Sequence, residues 1–344
     1  MTTIEKILLY ITEHPLSSSP EIFEGAGVDV SYATVRREIS KLVADNSLLV
    51  SGNRKSSRYS VSPICALLQE INIDTYFEKE IDDRRIVEGY NFELIATLAS
   101  TPAIFTKAEL DRLGKLQLKF SENIETLSDN ARKKEMDRLG VDLSWKSSQI
   151  EGNTYSLLET ERLLMEKETA EGKTKDEAVM LLNHKDALDF IIENPDYLSD
   201  LSVARVENIH SILTKELNVD RNIRNRRVGI TGTNYRPLDN EFQIREALEA
   251  TCALVNSRDD VFEKALLLLL LISYIQPFND GNKRTARITS NAILIANNYC
   301  PVSFRSVDSI DYKKAMLLFY EQNNISAFKR IFCEQFEFAV NTYF

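Results

Sequence analysis

From Ala265 to Ile275 the chain runs for 11 residues without a charged side chain. A membrane span needs roughly 20 apolar residues, so this run predicts a helix buried in a protein core rather than in lipid. It leads directly into Gln276-Pro277-Phe278-Asn279-Asp280-Gly281-Asn282-Lys283-Arg284-Thr285-Ala286-Arg287, after which Ile288, Ala292 and Ile295 resume a helical period. The sequence therefore places a polar loop between two helices, at the N-terminus of the second.

Such a turn gathers unpaired backbone N–H groups and the positive end of the helix dipole at one spot, which favours a bound phosphate. Gly281 allows close backbone approach. Arg284 and Arg287 are three residues apart and so lie on one helix face, where two guanidinium groups can grip a polyphosphate. Asp280 is the loop's one carboxylate, and magnesium takes one or two carboxylates together with phosphate oxygens. The physical reading is a magnesium-nucleotide site. Taken alone, the loop is also compatible with charges that are solvated or paired with neighbouring acids.

The rest of the chain is predicted to be mainly helical, with amphipathic stretches at 92–98, 107–127, 175–192 and 201–217. Residues 1–62 follow a different pattern. Ile4, Ile7, Leu8 and Ile11 form a helical stripe that ends at His14-Pro15, a second helix is expected near 20–24, and Ser31 caps a third. In the third helix Val35, Ile39, Leu42 and Val43 point inward, while Arg36, Arg37, Ser40 and Lys41 point outward. Two short strands, 48–50 and 59–61, flank a loop containing Arg54, Lys55 and Arg58.

This is the pattern of a small α+β winged helix-turn-helix domain. Between Arg36 and Arg58 six positive residues face two negative, in a chain whose net charge is -10. These residues are candidates for DNA phosphates, the alternative being a solvated face on a protein-docking module. The expected organisation is a winged helix at 1–62 with a linker around Ser62-Pro63, then a helical region at 63–140 and a catalytic-type core at 141–344.

The acidic balance excludes bulk nucleic-acid binding. Cys65, Cys252, Cys300 and Cys333 are far apart and form no CxxC pair, and His14, His184 and His210 have no metal-ligand spacing, so neither a zinc site nor a disulfide framework is expected. Met1 to Tyr10 lacks signal-peptide features. A cytoplasmic location without membrane attachment is the expectation; a homo-oligomer is compatible with the composition.

The loop resembles the Fic family motif HPFx(D/E)GN(G/K)RxxR, matching it at Pro277, Phe278, Asp280, Gly281, Asn282, Lys283, Arg284 and Arg287, with Gln276 in place of the histidine. Two further segments resemble the family in its order. Ser147 to Asn153 is similar to the (S/T)xxxE(G/N) inhibitory helix ahead of the core in the family's second class, expected at about 144–153. Arg227 to Tyr235 is similar to its target-aligning β-hairpin flap, expected over 223–237.

The resemblance implies ATP with magnesium, and AMP transfer to a hydroxyl of a protein target. Asp280 would serve the metal, and Asp280, Gly281, Asn282, Lys283, Arg284 and Arg287 the nucleotide. Tyr312 would stand beside adenine, Gly229, Ile230, Thr231 and Gly232 would align the target, and Glu151 would inhibit by pairing with Arg287. Gln276 is no general base, because an amide does not take up a proton near neutral pH. Weak or absent AMP transfer is therefore expected. Lys283 resembles the phosphate-transferring Doc branch, which leaves open a kinase and also a nucleotide-sensing regulator.

Overall fold

The computed structural model describes the backbone of all 344 residues and every side chain except that of Lys55, so the expected DNA contact of Lys55 lies outside the described residues. The fold is mainly helical. Helices α1 (Thr3–Glu13), α2 (Ser19–Gly25) and α3 (Tyr32–Ala44) precede an antiparallel pair, β1 (Leu48–Ser51) and β2 (Arg58–Val61), in which Leu48 pairs with Val61 and Ser51 with Arg58. Local chemistry sets these boundaries. Thr2 and Glu5 form a capping box on α1, and Ser31 Oγ accepts from the Thr34 backbone N–H at the start of α3.

This unit has a hydrophobic cluster of its own, including Ile7, Ile11, Ile22, Val35, Ile39, Leu42 and Leu48. The outward residues Arg36, Arg37, Ser40, Lys41, Arg54 and Arg58 are exposed. Arg37 and Lys41 share Glu38, at 3.5 and 2.9 Å.

The expected linker at Ser62-Pro63 is instead packed structure. Ser62 caps α4 (Pro63–Leu68), whose Leu67 enters the main core, and Asn324 Nδ2 donates to the carbonyls of Ala66 and Gln69 at 2.7 and 2.8 Å. There follow α5 (Ile73–Phe77), α6 (Leu94–Ser100), α7 (Lys107–Thr126), α8 (Asp129–Ile150), α9 (Leu157–Glu166), α10 (Lys175–Glu193) and α11 (Val203–Leu213). The chain ends in α12 (Glu241–Ser257), α13 (Val261–Ile275), α14 (Asn282–Ala296), α15 (Ser309–Gln322) and α16 (Ser326–Tyr343).

Helix α13 is the axis of the main core: every residue from Ala265 to Ile275 is fully buried, as the apolar run requires. It packs against α12, α14 and α15. At about 1.5–3 kcal/mol for each buried leucine or isoleucine, this helix anchors the loop that follows it. Among the described residues no helix is long and apolar enough to cross a membrane.

The expected β-hairpin over 223–237 does not form. The two limbs of this segment pair elsewhere: the Arg224 N–H donates to the Pro277 carbonyl at 3.0 Å, and the Arg236 N–H to the Glu88 carbonyl at 2.7 Å. The one β-type pairing among the described residues here is a parallel bridge between Gly89 and Arg236.

Candidate functional site

Helix α13 ends at Gln276, which turns into the left-handed region with φ 52°. Gly281, at φ 79°, makes the second turn, and α14 begins at Asn282. Asn282 staples the loop between them. Its Oδ1 accepts from the Phe278 N–H at 2.8 Å, and its Nδ2 donates to the Phe278 carbonyl at 2.8 Å and to Gln276 Oε1 at 3.1 Å. Gln276 Nε2 donates to the Ser273 carbonyl at 2.6 Å. Both ends of the Gln276 amide are thus engaged, in a buried position.

Two groups that the sequence reading left out hold the loop from behind. The imidazole of His210 lies flat on Phe278, with ring centroids 3.7 Å apart and an interplanar angle of 6°, while its Nε2 sits 2.9 Å from the Asp280 carbonyl. Burial pushes the His210 pKa down to about 4, so the ring is neutral and Nε2–H is the donor to that carbonyl. Arg224 is buried under the first limb of the flap segment and donates to the carbonyls of Gln276 and Ile275 at 2.6 and 3.3 Å. Neither residue has a spacing in the sequence that ties it to the loop. His184 is also fully buried, and burial holds its pKa well below the usual histidine value, with Arg287 and Arg284 adding to the effect.

At the head of α14 the backbone N–H groups of Gly281, Asn282, Lys283 and Arg284 reach no protein acceptor among the described residues. Arg284 is 1% exposed, yet its Nε and Nη1 also have no partner; only Nη2 is paired, with Asp280 Oδ2 at 3.2 Å. A buried donor without an acceptor costs about 1–3 kcal/mol, more when charged, so this corner suits an anion. The Asp280 side chain is 64% exposed and faces solvent, where a cation can reach it. The donor set fits a phosphate chain, and the carboxylate fits its magnesium.

Arg287 differs from Arg284 in being saturated. Its Nε donates to Ser147 Oγ at 2.8 Å, Nη1 to Tyr312 Oη at 3.2 Å, and Nη2 to the Ser147 carbonyl at 2.9 Å and to Glu151 Oε1 at 3.1 Å. Glu151 is the C-cap of α8, a 22-residue helix that begins well before the expected 144–153. Its other oxygen lies 3.5 Å from Lys283 Nζ. Burial raises the Glu151 pKa, but Arg287 and Lys283 outweigh it and hold the carboxyl below its ordinary range. The structure therefore brings Glu151, Lys283 and Arg287 together.

Tyr312 is placed differently from its expected role beside adenine. It is fully buried, with its ring edge-to-face against Phe304 and Phe328, and its hydroxyl is spent on Arg287, so it offers no open stacking face. In the flap segment, the backbone N–H and C=O groups of residues 228–231 form no hydrogen bonds among the described residues. The Gly232 carbonyl is held by Arg84 Nη2 at 2.7 Å, and Arg84 is itself paired with Glu321 at 3.0 Å.

Residues 200–294, from the start of α11 to α14, match the Fic/DOC family model. Protein adenylyltransferase Fic of Nematostella vectensis is 29% identical over 181 residues, which cover 49% of this chain and 40% of that protein, so the chain spans well under two thirds of the relative it matches. Among solved structures, Fic-1 (residues 134–508) from C. elegans is similar with a TM-score of 0.61 and 19% identity, covering 73% of this chain and 80% of that one. A Fic-domain-containing signalling protein from Bacteroides thetaiotaomicron is similar at 0.57 and 20% identity, covering 67% and 94%. At these identities the structures share the fold.

Proposed function

We propose that the chain binds Mg-ATP at the head of α14, is held inactive by Glu151, and, once released, transfers AMP slowly to a protein hydroxyl. The buried, half-unpartnered guanidinium of Arg284 beside four open backbone N–H groups carries this reading. The similarity to a protein adenylyltransferase supports the choice of nucleotide and of reaction.

In this reading the α14 N–H groups and Arg284 grip the phosphates, and Arg287 joins them when Glu151 withdraws. Asp280 holds the magnesium, which when bound neutralises phosphate charge. AMP transfer forms a bond between the hydroxyl oxygen and the α-phosphorus and releases pyrophosphate. The hydroxyl proton has no side-chain base at Gln276 and leaves to water or to the nucleotide itself. Loss of a general base costs about 10²- to 10⁴-fold in rate, so turnover is low.

Calorimetry with Mg-ATP tests the reading. Wild type should bind weakly and Glu151→Gly about tenfold or more tighter, a difference of roughly 1.4 kcal/mol. Glu151→Gly combined with Arg284→Met should lose binding. Absence of nucleoside-triphosphate binding by Glu151→Gly would overturn the reading.

A second reading is favoured by one observation. The Gln276 amide is consumed by Ser273 and Asn282, which suits a structural rather than a chemical role. The domain then senses nucleotide, and the N-terminal unit, presenting Arg36, Arg37, Lys41, Arg54 and Arg58 outward, acts as a DNA-binding regulator. Intact mass after incubation with ATP and cell extract separates the readings: added AMP, the phosphate of a Doc-like kinase, or no adduct despite binding. A gel shift that ignores salt and Arg36→Ala/Arg37→Ala would remove DNA.

A further inference from the structure

The chain is acidic overall, yet residues 220–239 carry five arginines against two aspartates. Arg224 is buried, but Arg221, Arg226, Arg227 and Arg236 are exposed around the flap segment. Arg227 is paired with Asp239 at 2.8 Å. Among the described residues Arg221, Arg226 and Arg236 have no carboxylate partner, and Arg226 Nε is bonded to Asn279 Oδ1 of the motif loop at 2.8 Å. A cationic rim therefore adjoins the loop where the chemistry is placed.

The same segment exposes a pairing edge, since the backbone of 228–231 has no partner. Its other limb already shows what fits. The chain's own stretch from Asp82 to Gly89, which starts in a 3-10 turn and carries exposed Asp82, Asp83 and Glu88 beside Arg84 and Arg85, touches 234–236 at its two ends. Asn234 Nδ2 donates to Asp82 Oδ1 at 2.9 Å, and the Arg236 N–H to the Glu88 carbonyl at 2.7 Å. One limb thus already holds a carboxylate and a backbone carbonyl of the chain itself, while the other is open and more basic.

Resting on the reading that this site modifies a protein hydroxyl, we propose that the target is an acidic extended protein segment. It pairs by its backbone with residues 228–231 and places carboxylates against Arg221, Arg226 and Arg236. Amide N–H and C=O groups presented along the edge suit a polypeptide, which can answer both, rather than a nucleic acid. Opposite charges at a rim chiefly set partner choice and association rate.

The test uses the full chain carrying Glu151→Gly and three labelled extended peptides with a central threonine, flanked by glutamates, glutamines or lysines, read by fluorescence anisotropy. The glutamate peptide should bind about tenfold tighter than the glutamine peptide, and the lysine peptide weakest. The preference should fade as ionic strength rises from about 0.1 to about 1 M, where screening shortens from about 10 to about 3 Å. Arg221→Glu/Arg226→Glu should invert the order, while Arg132→Glu/Arg162→Glu, matched in charge but outside the flap, should keep it. Equal affinity for the three peptides, or no binding of any by protein that still binds Mg-ATP, overturns the proposal and leaves the nucleotide reading standing. Displacement of the glutamate peptide by single-stranded DNA that binds more tightly also overturns it. Failure to bind Mg-ATP strikes the nucleotide reading instead, whatever the peptides do.

Discussion

Glu151 and Arg287, 136 residues apart in the chain, meet at 3.1 Å inside the protein, and the carboxylate occupies a guanidinium that Ser147 and Tyr312 also hold. Because the Glu151 pKa is lowered in the folded protein, its pairing is complete above the ordinary carboxylate range and is lost only as pH falls through the depressed folded value. The ratio of Mg-ATP affinities between Glu151→Gly and wild type should therefore stay constant from about pH 6 to 8. A ratio that collapses within that window, measured by calorimetry, would assign the restraint to another group.

Lys283 supports the same carboxylate from the other side at 3.5 Å. Partly exposed ion pairs contribute about 0–1 kcal/mol, so Lys283→Ala should loosen the restraint modestly, raising Mg-ATP affinity by about two- to fivefold. The gain should vanish in the Glu151→Gly background. A gain of the same size in both backgrounds would mean that Lys283 narrows the anion pocket directly.

Restoring histidine at position 276 asks whether the rest of the site is competent. Histidine tolerates the left-handed backbone better than most residues, and Gln276 sits at φ 52°. In a Glu151→Gly background, Gln276→His should raise AMP transfer by about 10²- to 10⁴-fold, followed as an adduct by intact mass. No adduct from protein that binds Mg-ATP would favour the sensing role.

His210 predicts an acid limb in stability. Its pKa falls from an ordinary 6.5 to about 4 on folding, so below 6.5 the unfolded chain binds a proton that the folded chain refuses. Stability should decline as pH drops from about 6.5 to 4, by roughly 3 kcal/mol from this residue. The buried His184 adds in the same direction. Chemical denaturation of His210→Gln should show a shallower decline than wild type over that range, at a lower overall stability because the stacking on Phe278 is lost.

Much of this was legible locally. The charge-free run to Ile275 demanded burial, caps such as Ser31 fixed helix starts, and the loop from Gln276 to Arg287 displayed its own donors. Glu151 came from a resemblance of short segments, since nothing in its neighbourhood points 136 residues ahead. Long-range partners left no mark. The two limbs of the flap segment contain β-forming residues, yet they bond to Pro277 and Glu88, and His210 lies on an apolar helix face that gives no hint of Phe278. The burial of Tyr312 between Phe304 and Phe328 likewise depends on how α15 packs, not on its sequence.

Arg287 also completes α8. The Ser147 carbonyl belongs to that helix's last turn, where the N–H groups of Glu151, Gly152 and Asn153 donate to Ser148 and Gln149 instead, and the guanidinium donates to Ser147. Drawing the arginine fully toward a phosphate thus strips Ser147 of its donor, while the Ser148 and Gln149 carbonyls keep the N–H groups of Glu151, Gly152 and Asn153, so ligand occupancy costs the end of α8 its side-chain brace and not its backbone cap. Removing Glu151 alone cuts one tether and leaves the Ser147 and Tyr312 contacts in place, so the proposed release would be a graded loosening rather than an on-off event.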